Sequence, residues 1–207
     1  EVGRYDVKLK LRDDANYYWE GEEKDVSVIT VDFNISAAEN KWTAEPSITG
    51  WTYGESANAP VYGAKFGDVK IEYKKASEPD SAYSASVPAN AGDYNVRFSV
   101  AATKNFGGLT KALDFTIAKA SVAIPTVSGK IYTGEPLTAD ITDGEHYTVS
   151  ENNGGTEVGR YDVKLKLRDD ANYYWEGKEK DVSVITVDFN ISAAENKWTA
   201  EPSITDW

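Results

Sequence analysis

Residues 1–51 recur almost letter for letter as residues 157–207. The offset is 156, and only two positions differ: Glu22 becomes Lys178 and Gly50 becomes Asp206. A period of this kind outweighs any compositional argument about fold, because a repeated stretch is a structural unit strung along the chain. Near-identity over 51 residues also means recent duplication or exchange between copies.

A weaker repeat lies inside the strong one. Ala91-Gly92-Asp93-Tyr94-Asn95-Val96 matches Val158-Gly159-Arg160-Tyr161-Asp162-Val163. Thirteen residues after that glycine comes an Asn followed by an aromatic: Asn105-Phe106, Asn172-Tyr173 and, from Gly3, Asn16-Tyr17. Each copy then runs into an Asp-Phe-x-Ile strand, beginning at Asp32, Asp114 and Asp188. Upstream, Pro46 and Gly50 align with Pro125 and Gly129. The long unit therefore reads as two related modules, an A-type over residues 40–120 and a B-type over residues 121–194. Residues 1–39 are then the C-terminal half of an earlier B-type module. Residues 195–207 are the first strand of a later A-type module, and the chain is expected to be a piece of a longer array.

The hydrophobic period is two nearly throughout, as half-buried antiparallel strands require. Tyr161, Val163, Leu165 and Leu167 share one face, while Asp162, Lys164, Lys166 and Arg168 share the other. Tyr94, Val96, Phe98 and Val100 repeat the pattern, and Tyr94, Phe98, Tyr161 and Leu165 are expected in cores. In the last strand of the B-type module Val182 and Val184 differ in parity from Ile185, Val187, Phe189 and Ile191. A β-bulge near Ile185 would reconcile them. Gly, Pro, Asn and Asp cluster between the apolar runs, where turns need them. No stretch has the length and period of an amphipathic helix. The expected class is all-β: tandem small β-sandwich modules of immunoglobulin-like type in an elongated array. β-Grasp-like modules are the alternative, at the cost of a crossover helix that the pattern does not supply.

The chemistry expected of the chain is sparse. There is no cysteine, so disulfides and thiolate metal sites are excluded, while the compartment stays open. The net charge of −12 repels phosphate backbones and anionic lipids, arguing against a nucleic-acid partner and for solubility. No apolar run is long enough to enter a membrane as a helix, so no membrane insertion is expected of this segment. The single His, His146, sits beside Glu145 and Tyr147 and is expected as an ordinary exposed strand residue; a His-based triad or metal site lacks the other parts. Asp169, Asp170, Asn172 and Glu176 share an oxygen-rich loop, without the alternating pattern of a calcium loop and with Lys178 and Lys180 close by. Carboxylate pairs of the glycosidase type need a cleft that thin sandwiches do not offer. No glycine-rich phosphate loop occurs. Lys164, Lys166 and Arg168 form a basic stripe, read as a solvated strand face that discourages edge pairing, with a docking patch for an acidic partner as the sharper alternative. Asn190, between Phe189 and Ile191, points outward, away from the buried geometry of a Lys–Asn cross-link. Trp42, Trp51, Trp198 and Trp207 flank the junctions and are expected to pack modules together, with a sugar-stacking platform as the functional alternative. No catalytic or metal-binding residue, and no cofactor, is assigned; binding residues are left open.

Several motifs together carry a family resemblance: Tyr132-Thr133-Gly134-Glu135, Tyr147-Thr148-Val149-Ser150, Val158-Gly159-Arg160-Tyr161-Asp162-Val163, Asn172-Tyr173-Tyr174-Trp175 and Asp188-Phe189-Asn190-Ile191, with Trp51-Thr52-Tyr53-Gly54-Glu55 and Asp114-Phe115-Thr116-Ile117 in the A-type module. The chain resembles the MBG-type and bacterial immunoglobulin-like tandem repeats of Gram-positive cell-surface proteins. That resemblance implies a non-catalytic, extracellular segment, secreted or attached to the cell wall, acting as an adhesin stalk or fibre-forming spacer. Its partners would be neighbouring modules or chains of the same protein. Two alternatives remain: a multivalent binder of a host glycoprotein, mucin or immunoglobulin, or an accessory carbohydrate-binding module of a secreted glycosidase. One expectation follows from the module bounds alone. Residues 1–38 carry Tyr5, Val7, Leu9 and Leu11 on a face whose partner strands correspond to residues 121–156, so a neighbouring chain, a swapped copy or a preceding segment should cover it.

Overall fold

The computed structural model describes residues 1–200 together with residues 203 and 204. The chain is all-β, built of several small sheets with β-sandwich-like character; the described residues contain no α-helix and a single 3-10 turn at Asp80–Ala82. The strands are β1 (Gly3–Lys10), β2 (Val28–Ile35), β3 (Trp42–Ser47), β4 (Trp51–Thr52), β5 (Val61–Ala64), β6 (Lys70–Lys75), β7 (Gly92–Val100), β8 (Leu109–Ala118), β9 (Ala120–Val122), β10 (Lys130–Ile131), β11 (Tyr147–Asn152), β12 (Gly159–Leu167), β13 (Tyr173–Trp175) and β14 (Val184–Ser192). Two compact units emerge. The first comprises Glu1–Thr49, Asn58–Pro88 and Asp93–Phe115; the second comprises Gly50–Ala57, Ala89–Gly92 and Thr116–Trp207.

In the second unit one sheet has the order β10-β14-β12-β11. β12 pairs antiparallel with β14 and with β11, while the short β10 lies parallel to the end of β14. Gly129 opens β10 because a Cβ there would come within 2.8 Å of the Asn190 carbonyl oxygen. The apolar face of β12 and β14 supplies the core: Val163, Leu165, Leu167, Ile185, Phe189 and Ile191 are buried together with Trp175. From residues 120–156, Val122 and Ala139 are buried in the same core, and Leu137, Tyr147 and Val149 pack against it. Tyr161 is only half-buried, less than its place in the alternation suggests. It sits at the start of β12, where its hydroxyl reaches out to donate to the Glu157 carbonyl at 2.9 Å.

The expected bulge near Ile185 is absent. β12 and β14 pair without a break from Gly159↔Ile191 to Lys166↔Val184. The parity conflict vanishes because Val182 lies in the preceding turn, its N–H donating to the Glu179 carbonyl at 3.2 Å, and reaches the core from there. The irregularity falls instead in β11, between Val149 and Glu151.

In the first unit, Val96 and Phe98 are fully buried, with Tyr73, Tyr94, Val100 and Phe115 around them. Tyr94 stacks on Phe115 with ring centroids 5.7 Å apart. β6 and β7 run antiparallel, and β3 pairs with β5. In the second unit β4 pairs in parallel with the end of β8, Trp51↔Ile117 and Thr52↔Ala118, as β10 does with β14. The sequence alignment of Gly50 with Gly129 has the same physical basis: a Cβ on Gly50 would lie 2.1 Å from the Thr116 carbonyl oxygen.

The first unit also holds residues 1–49 of the earlier copy of the long repeat. β1 and β2 form a hairpin from Gly3↔Ile35 to Lys10↔Val28, residue for residue the register of β12 with β14. The loop is copied as well. Trp19 and Trp175 each donate Nε1–H to a serine carbonyl, Ser27 at 3.4 Å and Ser183 at 3.2 Å. Gly21 and Gly177 both take positive φ, 82° and 71°, in the turn that follows. Cover is where the copies part. Leu9 is 41% exposed and Phe33 46% exposed, whereas their counterparts Leu165 and Phe189 are at 0%. Leu11 and Trp19 are half-buried.

Candidate functional site

The residues that do the most specific work are the two asparagines found by spacing, Asn105 and Asn172. Asn172 is buried, in the loop between β12 and β13. Asp169 holds it: one carboxylate oxygen accepts the Asn172 backbone N–H at 3.2 Å, the other its side-chain N–H at 2.8 Å. That fixes the amide so that Oδ1 accepts the Ala91 backbone N–H at 2.7 Å, while the Asn172 carbonyl accepts the Ala120 N–H at 2.9 Å. One residue thus ties together the stretch before the glycine of the A-type module and that module's last residue. β9 then pairs in parallel with β13, Ala120↔Tyr173 to Val122↔Trp175.

Asn105 does the same in the other unit. Its Oδ1 accepts the Val2 backbone N–H at 3.1 Å and its carbonyl accepts the Ala38 N–H at 2.8 Å. Val2 precedes Gly3 as Ala91 precedes Gly92, so the two joints match chemically. Thr103 takes the place of the aspartate, its hydroxyl oxygen accepting the Asn105 N–H at 3.2 Å. Because the donors are backbone N–H groups, Val2 serves as well as Ala91. The aromatic after each Asn meets another ring too. Tyr173 stacks on His146 at 4.4 Å and meets the edge of Tyr53 at 5.3 Å, and Phe106 stacks on Phe66 at 5.6 Å. Burial, and then Tyr53, Glu145 and Asp169, raise the Tyr173 hydroxyl above its ordinary pKa. Just past its joint, Asn40 is buried with both side-chain ends in use, donating to the Phe66 and Gly107 carbonyls and accepting the Lys41 and Phe66 N–H groups.

The other residues singled out from sequence divide plainly. His146 lies in the bend before β11 rather than in a strand, half-buried against Tyr173. Asp169 of the oxygen-rich loop is committed to Asn172, and Asp170 offers its carbonyl to the Lys119 ammonium. Among the described residues no group of three His, Cys, Asp or Glu side chains converges to hold a metal ion. The basic stripe is largely neutralised: Lys164 pairs with Glu151 at 3.0 Å and Arg168 with Asp143 at 3.0 Å. The Lys164 hydrogen bond holds the Glu151 carboxyl below the usual range. Asn190 is exposed, as its parity requires. Trp51 is buried beside β8, Trp42 is half-buried in β3, Trp198 is 76% exposed, and Trp207 lies outside the described residues.

A cluster that sequence reading missed sits on the first unit. The buried Glu72 accepts from Lys70 at 2.7 Å and Arg97 at 2.9 Å, and these partners, Lys70 first, lower its pKa. The Arg97 guanidinium lies 4.0 Å over the Tyr83 ring. Glu72 and Arg97 face each other across β6 and β7, a pairing visible only once the register is known. Nearby, Tyr73, Lys74, Glu78, Ser84 and Tyr94 line an open cleft of about 160 Å³. None of these groupings sets a nucleophile against a base. No helix among the described residues is long and apolar enough to cross a membrane. Neither protein-family models nor curated proteins give a match to this chain.

Proposed function

We propose that this chain is a non-catalytic repeat region of a bacterial cell-surface or secreted protein, acting as a stalk or spacer built of immunoglobulin-like modules. The observation that carries the reading is the joint. The same asparagine geometry occurs twice, at Asn105 and at Asn172, each time joining the end of one module to the loop of the next. A joint made of backbone N–H groups and one asparagine is indifferent to copy number, which suits the near-identical duplication of residues 1–51. Repetition then adds reach rather than a new site. The resemblance of the turn and strand motifs to MBG-type and bacterial immunoglobulin-like repeats points the same way, and with it to an extracellular, wall-attached or secreted location.

Chains carrying one, two and three of the long units test the reading. Small-angle scattering should show the maximum dimension growing by a constant increment per unit, with no saturable binding to immobilised immunoglobulin or mucin glycoprotein. Saturable binding whose avidity climbs with unit number would replace the stalk reading by a multivalent host-protein binder.

A further inference from the structure

We propose that the β1–β2 hairpin is an acceptor for a free copy of the segment 120–156, which would complete it as a B-type module. The chain contains its own control. Residues 1–36 match residues 157–192 except at Glu22, and the two stretches share strand register and loop hydrogen bonds. The hairpin is therefore already in its module conformation, and ordering it costs nothing further on binding. What differs is the apolar face, and the second copy shows what covers it: Val122, Ala139, Leu137, Tyr147 and Val149, all from residues 120–156.

The pairing can be transferred by the repeat offset. β11 sits on β12 with Tyr147↔Leu167, Val149↔Leu165 and Asn152↔Val163, so its counterpart would meet Leu11, Leu9 and Val7 along the open edge of β1. β10 sits on β14 with Lys130↔Ile191, so its counterpart would meet Ile35. The charges carry over too. Glu151 pairs with Lys164 and Asp143 with Arg168, and Lys8 and Arg12 stand at the equivalent places. Strand addition to an open edge supplies main-chain hydrogen bonds, and the alternate side chains supply selectivity. A second folded copy of this chain is a poorer occupant. Its own segment 120–156 already covers residues 157–192, and lending it would bare an equal face. The proposal stands apart from the stalk reading, since it holds equally for a stalk or a host-protein binder.

The chain has no cysteine, so one introduced thiol reports one place without ambiguity between the copies. Leu9→Cys probes the apolar face. Val28→Cys is the control, because Val28 and its counterpart Val184 are both 42% exposed and so lie outside the core in either state. The probe ligand is a synthetic peptide of residues 120–156. The peptide should bind one per chain and slow thiol modification at Leu9→Cys by roughly tenfold or more, the protection expected for a newly closed face, with Val28→Cys unchanged. A Val149→Asp peptide should protect far less. Unchanged labelling of Leu9→Cys at saturating peptide overturns the proposal, as does protection that grows with chain concentration without peptide, which would make a second copy the occupant. Should the peptide aggregate, the same segment is joined directly ahead of Glu1. Leu9→Cys must then lose its reactivity, and continued labelling at the free-chain rate overturns the proposal equally.

Discussion

Leu165 and Leu9 occupy the same position in two copies of one sequence, and truncating each to alanine separates sequence from environment. Leu165 is fully buried in the core of the second unit, whereas Leu9 is 41% exposed in the first. Leu→Ala at a fully buried position combines lost transfer energy with a residual cavity and costs about 2–5 kcal/mol. At Leu9 water fills the space, so only the transfer part remains. Three carbons at ~0.8 kcal/mol each, about three-fifths removed from water, give ~1.4 kcal/mol. Calorimetry of the whole chain reads both. Leu165→Ala should lower one unfolding transition by on the order of 10–20 °C, taking ~3 kcal/mol and the usual sensitivity of a domain this small. Leu9→Ala should leave that transition in place and affect only the other unit, by less than half as much. Equal losses, or a larger loss at Leu9, would refute the argument that cover by residues 120–156 makes the core.

Three further outcomes follow from the joints and the ion pairs. Asn172→Ala removes the acceptor of a partly buried backbone N–H, that of Ala91, and should cost about 1 kcal/mol in thermal stability while speeding proteolysis in residues 89–92; unaltered melting and cleavage would deny the joint its role. Gly50→Asp places a Cβ 2.1 Å from the Thr116 carbonyl oxygen, so it should detach β4 and shift Trp51 emission to the red, and an unchanged spectrum would count against the close approach. Glu72 has its pKa lowered from the ordinary 4.5, chiefly by Lys70 and then Arg97, so its stabilising contribution is present above about pH 4.5 and is lost as the pH falls through the lower folded value. Glu72→Gln should flatten the stability–pH curve of the first unit below that point, and an identical acid slope in both proteins would remove Glu72 from the account.

Much of the local structure was legible in the residues. Alternation pointed to Tyr94, Phe98, Tyr161 and Leu165 as core residues; Tyr94, Phe98 and Leu165 are buried, and Tyr161 is only half-buried. It failed at Val182, because parity is defined only inside a strand and Val182 belongs to the turn. Asn105 and Asn172 stood out by spacing, but their role did not, since their partners are backbone N–H groups that carry no sequence signature. Glu72 and Arg97 were invisible for another reason: they are 25 residues apart, and only the β6–β7 register makes them neighbours.

The duplicated stretch marks the division most sharply. The pairing of the two long strands, the tryptophan-to-serine hydrogen bond and the positive-φ glycine turn come out the same in both copies, because local sequence sets turn chemistry and hairpin register. Whether Leu or Phe is buried does not, because burial requires apolar groups from residues 120–156 on the other side. The next stretch behaves alike. At Trp42–Ser47 it forms β3 against β5, while the described residues 198–200 of its counterpart carry no strand. A strand must place its backbone N–H and C=O groups on a partner, and the partner lies outside the repeated sequence. Sequence by itself determined the hairpin; only tertiary structure decided whether that hairpin has a core.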